Sequence, residues 1–352
     1  GERMTGADRP AVDVTGTALH LPRRAFLAGA AAAVVAAACS SGEDGGEGTI
    51  DTAPTTSTTR PPTPELGGDP FTLGVASGDP LTDSVIIWTR LAVDPTVANG
   101  GMPPEPVAVR WEVAENAGFV STLAEGAALA VPEEGHSVHV DVSGLDPGST
   151  VAYRFSVGEW VSPVGVARTL PSAAAPADEM VFAVANCQAY QSGYYTAYRH
   201  MAEETLDLVF FVGDYIYELE NPPAIRTHGL EPMRTLDQFR TIYGITHADA
   251  DLQAAHAAHT WVFTWDDHEV EDNYANLEPG NIGLSLDPNA RETFPEKRAA
   301  AYQAWWENLP VRPGPPVDGE LQIYQDLRWG DLITFAVVDD RQYRDPIPEG
   351  SE

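Results

Sequence analysis

Apolar runs with strand composition, separated by turn residues, characterise the first part of the chain. Residues 84–91 and 107–114 read SVIIWTRL and VAVRWEVA. Both are rich in β-branched and aromatic side chains and predict strands. Residues 140–157 contain a GLDPG turn followed by an alternating segment that places Tyr153 and Phe155 on one face. An all-β module is therefore expected here.

A Pro/Ala-rich linker at residues 171–180 separates this module from a second part of the chain, in which strand-like runs alternate with helical patterns. Strands are predicted within MVFAVANCQ (180–188), LDLVFFVGDYIYE (206–218), WVFTWDDHE (261–269) and DLITFAVVDDRQY (331–343), and helices around 194–204, through 235–259 and in 298–310. Polar residues close the strands. Because parallel strands separated by helices end at one edge of a sheet, an α/β domain with a site along that edge is expected.

The length and net charge of the chain limit the classes of function that can be expected. The 352 residues are 43% hydrophobic, which is enough for two domains. Twenty Lys and Arg residues against 52 Asp and Glu residues leave a net charge of −32. Such a field repels phosphate backbones, so nucleic acid is not expected as a specific partner. An anionic substrate would need local compensation, which bound metal cations supply.

The first 39 residues have the pattern of an export signal. Arg23 and Arg24 open the segment RRAFLAGAAAAVVAAAC, whose apolar run is shorter than the roughly 20 residues that span a bilayer. No transmembrane helix is therefore predicted. The arginine pair resembles a twin-arginine signal, which makes the twin-arginine export machinery an expected partner. An ordinary secretion signal is the alternative.

Residues 36–39, AAAC, resemble a bacterial lipobox, in which Cys39 becomes the lipidated first residue. Simple cleavage of the signal is the alternative. Residues 40–68 are rich in Ser, Thr, Pro and Gly and predict a disordered linker. We therefore expect an exported bacterial protein, extracellular or at the cell surface, that meets the membrane only through a lipid anchor.

Two strand ends carry candidate chemistry. The strand at FAVA ends in Asn-Cys-Gln, and a polar triplet favours a functional Cys187 over a small buried apolar residue. The next strand ends at Gly213 and Asp214. A turn from Asp214 would bring Tyr217, three residues on, to the same side, although a helix N-cap is the alternative for this aspartate.

A third strand ends in the acidic run Asp266, Asp267, His268 and Glu269. Such runs are usually solvated surface, but this one begins inside an aromatic strand. Flanking acids raise the pKa of a histidine, which suits a proton donor or a ligand. Thiolate, phenolate and carboxylate donors favour a ferric ion beside a divalent ion such as calcium. Two ions that clamp a phosphate are a known solution for phosphoester hydrolysis.

Six ordered segments between Phe71 and Arg344 resemble the PhoD-like family of alkaline phosphatases and phosphodiesterases: FTLGVASGDPLTDSVIIWTRL, ANCQ, FVGDYIYE, DLQAAHAAHTWVFTWDDHEVEDNYA, RAAAYQAWWENLPVR and LRWGDLITFAVVDDRQYR. The resemblance implies a calcineurin-like metallophosphoesterase core over residues 180–352. The module before it, residues 69–172, resembles a fibronectin-III or immunoglobulin-like β-sandwich through its tyrosine-corner pattern.

The resemblance also implies roles. Cys187 and Tyr217 would bind Fe³⁺, Asp214 would bridge Fe³⁺ and Ca²⁺, and Asp267 would be a further metal ligand. His268 would protonate the leaving group. The expected function is an exported metal-dependent phosphoesterase that hydrolyses phosphate mono- and diesters with a hydroxide held between the ions.

Some features depart from the family pattern. The family continues beyond VVDDRQYR to a Gly-Asp-x-His-type segment, whereas this chain stops at Glu352, so a catalytic domain incomplete at its C-terminus is expected. Weak metal binding and an exposed apolar sheet edge would follow. Asp340 replaces a threonine of the family. Arg341 is a candidate phosphate contact or ion-pair partner, and Asn273 a candidate on the calcium side.

Two alternatives remain open at this point. A phospholipase D-like or teichoic-acid phosphodiesterase would use the same site and differ in its leaving group. A non-catalytic lipoprotein that binds wall polymer would carry an inactive phosphatase half.

Overall fold

The computed structural model describes residues 65–220, 224–280 and 289–346. The predicted export signal with its arginine pair, the lipidation site at Cys39 and nearly all of the predicted linker lie outside the described residues. No helix in the described part of the chain is long and apolar enough to cross a bilayer.

The first part of the described chain is built of strands. They are β1 (Ala76–Gly78), β2 (Ser84–Arg90), β3 (Val107–Ala114), β4 (Thr122–Ala130), β5 (Ser137–Ser143), β6 (Thr150–Val157), β7 (Trp160–Val161) and β8 (Gly165–Arg168). The two predicted strands at 84–91 and 107–114 are present within one residue of their predicted bounds.

The second part alternates strands and helices, as the pattern predicts. Its elements are β9 (Phe182–Ala185), α1 (Thr196–Met201), β10 (Leu208–Val212), α2 (Leu236–His247), α3 (Ala250–Ala258), β11 (Thr260–Thr264), α4 (Ala290–Asn308), β12 (Gln325–Trp329) and β13 (Ile333–Val337).

One six-stranded sheet runs through both parts, in the order β5-β2-β1-β11-β10-β9. Strand β1 pairs antiparallel with β2 on one side and parallel with β11 on the other, with Ser77 opposite Thr260. The linker at residues 171–180 contains neither helix nor strand. The β module and the α/β part are nevertheless joined by backbone hydrogen bonds within a single sheet.

A second sheet, in the order β4-β3-β6-β7 with β8 also paired to β6, completes the β module. All of its pairings are antiparallel. The core of the module includes Val109, Tyr153 and Phe155 together with Val85 and Ile87 of the six-stranded sheet. The predicted common face of Tyr153 and Phe155 is therefore a buried face.

Local sequence explains where the helices begin. Thr235 caps α2 in a capping box with Gln238, and Phe239, Ile242 and Tyr243 are buried at helical spacing. Helix α3 begins three residues after α2 ends, because the side chain of its N-cap residue, Asp249, accepts two backbone N–H groups there.

The two faces of the parallel strands are covered differently. Val209, Phe211, Trp261 and Phe263 share a core with residues of helices α1 to α4. On the other face, residues of β10 and β11 pack with residues of the antiparallel pair β12-β13. The outer strand β9 exposes Val184, which is 58% accessible. The loops that follow β9, β10 and β11 leave the sheet at one edge.

We expect Trp88→Ala to destabilise the whole described fold as one unit. Trp88 is fully buried in β2, and its indole N–H donates to the carbonyl of Glu307 in α4 at 3.0 Å. Removing a buried tryptophan lowers the free energy of unfolding by about 3–5 kcal/mol. Denaturant unfolding followed by fluorescence and circular dichroism should still show one transition.

The matched control is Val120→Ala, since Val120 is 93% exposed. It should change the free energy of unfolding by less than about 0.5 kcal/mol. Two separated transitions in Trp88→Ala, with only the first displaced, would contradict a shared sheet.

Candidate metal centre

Three parallel strands deliver the predicted site residues to one edge. Phe211 of β10 lies opposite both Ala185 of β9 and Phe263 of β11, so the three strands end in register. Cys187 follows β9 by two residues, and Asp214 follows β10 by two. The predicted convergence of these strand ends is therefore present in the fold.

The turns after β9 and β10 have unusual backbone conformations. Cys187, Gly213 and Asp214 have φ values of 52°, 102° and 60°, in the region that most residues avoid. The turns are tied together, because the N–H groups of Cys187 and Gln188 donate to the carbonyls of Gly213 and Asp214 at 3.1 Å each. A Cβ at Gly213 would lie 2.4 Å from the Cβ of Asp266, so only glycine fits.

The carboxylate of Asp214 is the centre of the site. Its Oδ2 accepts hydrogen bonds from the Cys187 thiol at 3.4 Å and from the Tyr217 hydroxyl at 3.1 Å. The predicted same-side placement of Asp214 and Tyr217 is confirmed. Asp214 is buried, whereas Cys187 is an exposed free thiol. Sulfur, phenol and carboxylate donors thus meet at one oxygen.

Asp267 and His268 come to Asp214 from the third strand end. One potential ligand atom from each of the three residues lies within 4.8 Å of the others. The buried Asp267 accepts the backbone N–H of Asn273 on its Oδ2 at 2.7 Å. Asn273 therefore supports the aspartate through its main chain, while its side chain is exposed.

A carboxylate distant in sequence fixes the His268 ring. Its Nδ1 lies 2.7 Å from Oε2 of Glu218, and the ring centroid lies 4.2 Å from that of Tyr217. Burial alone would lower the pKa of His268, but the bond to Glu218 and the charges of Glu218, Asp267 and Asp214 raise it to about 9. The predicted upward direction is confirmed, although the strongest partner lies fifty positions away rather than beside the histidine.

The pKa values of three side chains in this site are raised above their ordinary values. Burial raises the pKa of Asp214, and the charge of Asp267 adds to this while His268 opposes it. Burial and the nearby Asp214 also raise the pKa of Cys187 and of Tyr217. A bound cation reverses this balance, because it favours the deprotonated ligands. The donor set fits a trivalent iron that takes thiolate and phenolate, with carboxylate oxygens left for a divalent ion.

Arg341 is an ion-pair partner of the acidic run. Its guanidinium lies 2.5 Å from Oδ1 of Asp266 and 3.5 Å from Oδ2 of Asp267, and Nη1 donates to the carbonyl of Tyr274 at 3.4 Å. Of the two roles open from sequence, this geometry is that of the ion pair. Burial, together with the charge of Asp266, raises the pKa of the neighbouring Asp340 to about 6.

Two glutamates were not assigned a role from sequence. Glu218 holds His268, and its position four residues after Asp214 was the signal that could have identified it. Glu269 is 1% exposed and accepts the N–H groups of Tyr215 on Oε1 at 2.6 Å and of Asp266 on Oε2 at 2.9 Å. Burial and the charge of Asp214 raise the pKa of Glu269 to about 8.

An open cleft of about 330 Å³ lies beside this edge. Its walls are mainly apolar and come from β9, β10, β11 and β13, including Val184, Val212, Thr264, Val338 and Asp340. The acidic centre therefore adjoins an apolar surface.

Comparisons with known proteins found matching families, a curated relative and a solved structure. The family described as PhoD-like phosphatase matches residues 182–352, and the family described as PhoD-like phosphatase, N-terminal domain, matches residues 56–171. Alkaline phosphatase D of Bacillus subtilis (strain 168) is 49% identical over 289 residues. The solved structure of PhoD superimposes with a TM-score of 0.77 at 47% identity.

The alignments cover most of this chain but a smaller share of its relatives. The match to alkaline phosphatase D covers 80% of this chain and 48% of that protein. The match to the PhoD structure covers 81% of this chain and 55% of that chain. The chain thus spans about half the length of the curated relative that it matches.

We expect Glu218→Gln to lower the pKa of His268 from about 9 toward the ordinary value of about 6.5. A histidine whose pKa is raised in the folded state stabilises the fold fully below about pH 6.5, and that contribution is lost as the pH rises through about 9. Imidazole NMR signals of the metal-free protein, followed from pH 5.5 to 10, measure the titration directly.

Denaturant unfolding over the same pH range should show a loss of stability toward alkaline pH that is smaller in Glu218→Gln. The control is Glu203→Gln, because Glu203 is an exposed carboxylate beside His200. An unchanged His268 titration in Glu218→Gln would refute the assigned pairing.

Proposed function

Since the chain belongs to the PhoD-like phosphatase family, we propose that it is a metal-dependent phosphoesterase that hydrolyses phosphate mono- and diesters. The observation that carries the proposal is the meeting of Cys187, Tyr217 and Asp214 at one carboxylate oxygen, with Asp267 and His268 beside it. Such a donor set at the C-terminal edge of parallel strands is a place for catalytic metals.

The ligand roles follow the chemistry of each side chain. Cys187 and Tyr217 would hold Fe³⁺, Asp214 would be a ligand shared by Fe³⁺ and Ca²⁺, and Asp267 would be a further metal ligand. Their support is the shared hydrogen bonding to Asp214 and the short separations within the group. When bound, the ions would lower the pKa of a water and neutralise charge on the phosphoryl oxygens.

His268 would donate a proton to the leaving group. Its pKa of about 9 keeps the imidazole protonated at neutral pH. Glu218 fixes the ring through Nδ1, and the geometry leaves Nε2, 3.8 Å from Oδ1 of Asp272, as the nitrogen at which a proton could leave.

The proposed organisation is a β-sandwich over residues 69–172 and a metallophosphoesterase domain over 180–352. The opposition of β5-β2-β1 to an antiparallel sheet supports a fibronectin-III or immunoglobulin-like sandwich. The Tyr153 hydroxyl makes no hydrogen bond within the described residues, so the predicted tyrosine corner adds no support. The sandwich would act as a scaffold.

The export route is also a proposal, supported by the sequence pattern alone. Arg23 and Arg24 would direct the folded protein to the twin-arginine machinery, and Cys39 would carry a lipid that anchors it at a bacterial cell surface.

We expect Asp214→Asn in the full chain to abolish hydrolysis of bis-p-nitrophenyl phosphate. Residues that hydrogen-bond to metal ligands contribute about 10–100-fold to metal affinity or activity. Removal of a central ligand should therefore lower turnover by more than about 100-fold. The control is Asp146→Asn, at an exposed turn of the β module. Circular dichroism should show both variants folded.

Elemental analysis by mass spectrometry should find iron and calcium in the wild-type chain, and less iron in Cys187→Ser. Unchanged turnover in Asp214→Asn would refute the site. A wild-type chain without metal and without turnover would refute the proposed activity for this chain. Comparing a monoester, a diester and a phospholipid as substrates then defines the leaving-group preference.

A further inference from the structure

Glu269 lies between the two turns that carry the predicted ligands. Its Oε1 accepts the N–H of Tyr215, the residue after Asp214, at 2.6 Å. Its Oε2 accepts the N–H of Asp266, the residue before Asp267, at 2.9 Å. One carboxylate therefore joins the neighbour of one ligand to the neighbour of another.

The acidic side chains of these turns repel each other, and the direct hydrogen bond between the two turns, from the His268 N–H to Oδ1 of Asp214, is long at 3.4 Å. Asp214 and Asp267 present carboxylate oxygens within 4.8 Å, and Asp266 adds a third acid. The backbones also touch, since a Cβ at Gly213 would lie 2.6 Å from the nitrogen of Asp266. A small separation of the turns would relieve the repulsion and move the ligand atoms apart.

We propose that Glu269 is a positioning residue that fixes the separation of the Asp214 and Asp267 turns and thereby the spacing of the metal ligands. This inference rests on the proposed metal-dependent function. The two oxygens of this carboxylate accept N–H groups from different turns, so one planar group spans the distance between them. A glutamine has one acceptor oxygen and would point its amide N–H₂ at the other N–H. An aspartate is one methylene shorter and would reach only one turn.

The surroundings of Glu269 show that charge pairing does not account for it. The carboxylate is buried, while the nearby cationic groups of His268 and Arg341 bond to Glu218 and Asp266. Burying a carboxylate among other carboxylates is unfavourable. Its two backbone hydrogen bonds are the compensating interactions, and both act on the ligand turns.

The test compares Glu269→Gln and Glu269→Asp with a matched control, Asp79→Asn, in the full chain. Asp79 is also a buried carboxylate between two segments, and accepts the N–H of Arg312 and the side-chain amide of Gln325 at 2.8 Å each. It belongs to a different cavity, so it reports the general effect of losing a buried carboxylate.

Two measurements are made on chelator-treated protein. Hydrogen exchange should become faster at the amide of Tyr215, of Asp266 or of both in each Glu269 variant, and stay unchanged at both in Asp79→Asn. Calorimetric titration with Mn²⁺ and with Ca²⁺ should show affinities about 10–100-fold weaker in both Glu269 variants, as for other residues that orient metal ligands. Asp79→Asn should bind as the wild type does.

Wild-type metal affinity in either Glu269 variant would overturn the proposal. Either the shape of the side chain, kept in Glu269→Gln, or its charge, kept in Glu269→Asp, would then be enough to position the ligands. Equal losses in all three variants would also overturn it, because the effect would be one of stability. Unchanged exchange at Tyr215 and Asp266 would overturn it independently of any metal. If the wild type itself binds no metal, the proposed function fails, and the exchange measurement still decides the role of Glu269.

Discussion

Parallel pairing of β9, β10 and β11 crowds carboxylates at one edge of the sheet. Two like unit charges 4.8 Å apart, the upper limit for the ligand atoms of Asp214, Asp267 and His268, repel by about 3.5 kcal/mol at an effective dielectric constant of about 20. The surrounding structure offsets this repulsion with the Arg341 guanidinium, the His268 imidazolium and backbone N–H groups. The same crowding creates a strong local attraction for cations, in a protein whose net charge is −32.

The left-handed turns at Cys187 and Asp214 and the aromatic core next to them hold these carboxylates at the edge of the sheet. Cys187 and Asp214 hold conformations that isolated turns would rarely adopt, so neighbouring structure must determine them. Tyr215, the residue after Asp214, is fully buried in the core and lies 2.9 Å from Nε2 of His256 through its hydroxyl. Because the turn is fixed by this core on one side and by the hydrogen bonds of the Asp214 carboxylate on the other, few alternative conformations are open to it.

Much of this arrangement was predictable from sequence. Strand composition and alternation located β2, β3, β9, β10 and β11, and the polar residues at the strand ends predicted which side chains come together at one edge of the sheet. The hydrogen-bond partners of Glu218 and Glu269 could not be assigned from spacing, because His268 lies 50 residues from Glu218 and Tyr215 lies 54 residues from Glu269. Strand β12 was missed because only Leu327 and Trp329 of its QDLRW sequence are apolar, too few for a clear pattern.

The parallel pairing of β1 with β11 has a consequence for how such chains can be divided. The composition of the sequence changes at residues 171–180, which suggests a boundary between two modules. A cut there would remove β1 from its place beside β11. Main-chain donors and acceptors would then be exposed along β11, the strand that precedes Asp267. The β module is in this sense part of the sheet that carries the candidate metal centre. A chain without the β module would need a replacement strand to pair with β11.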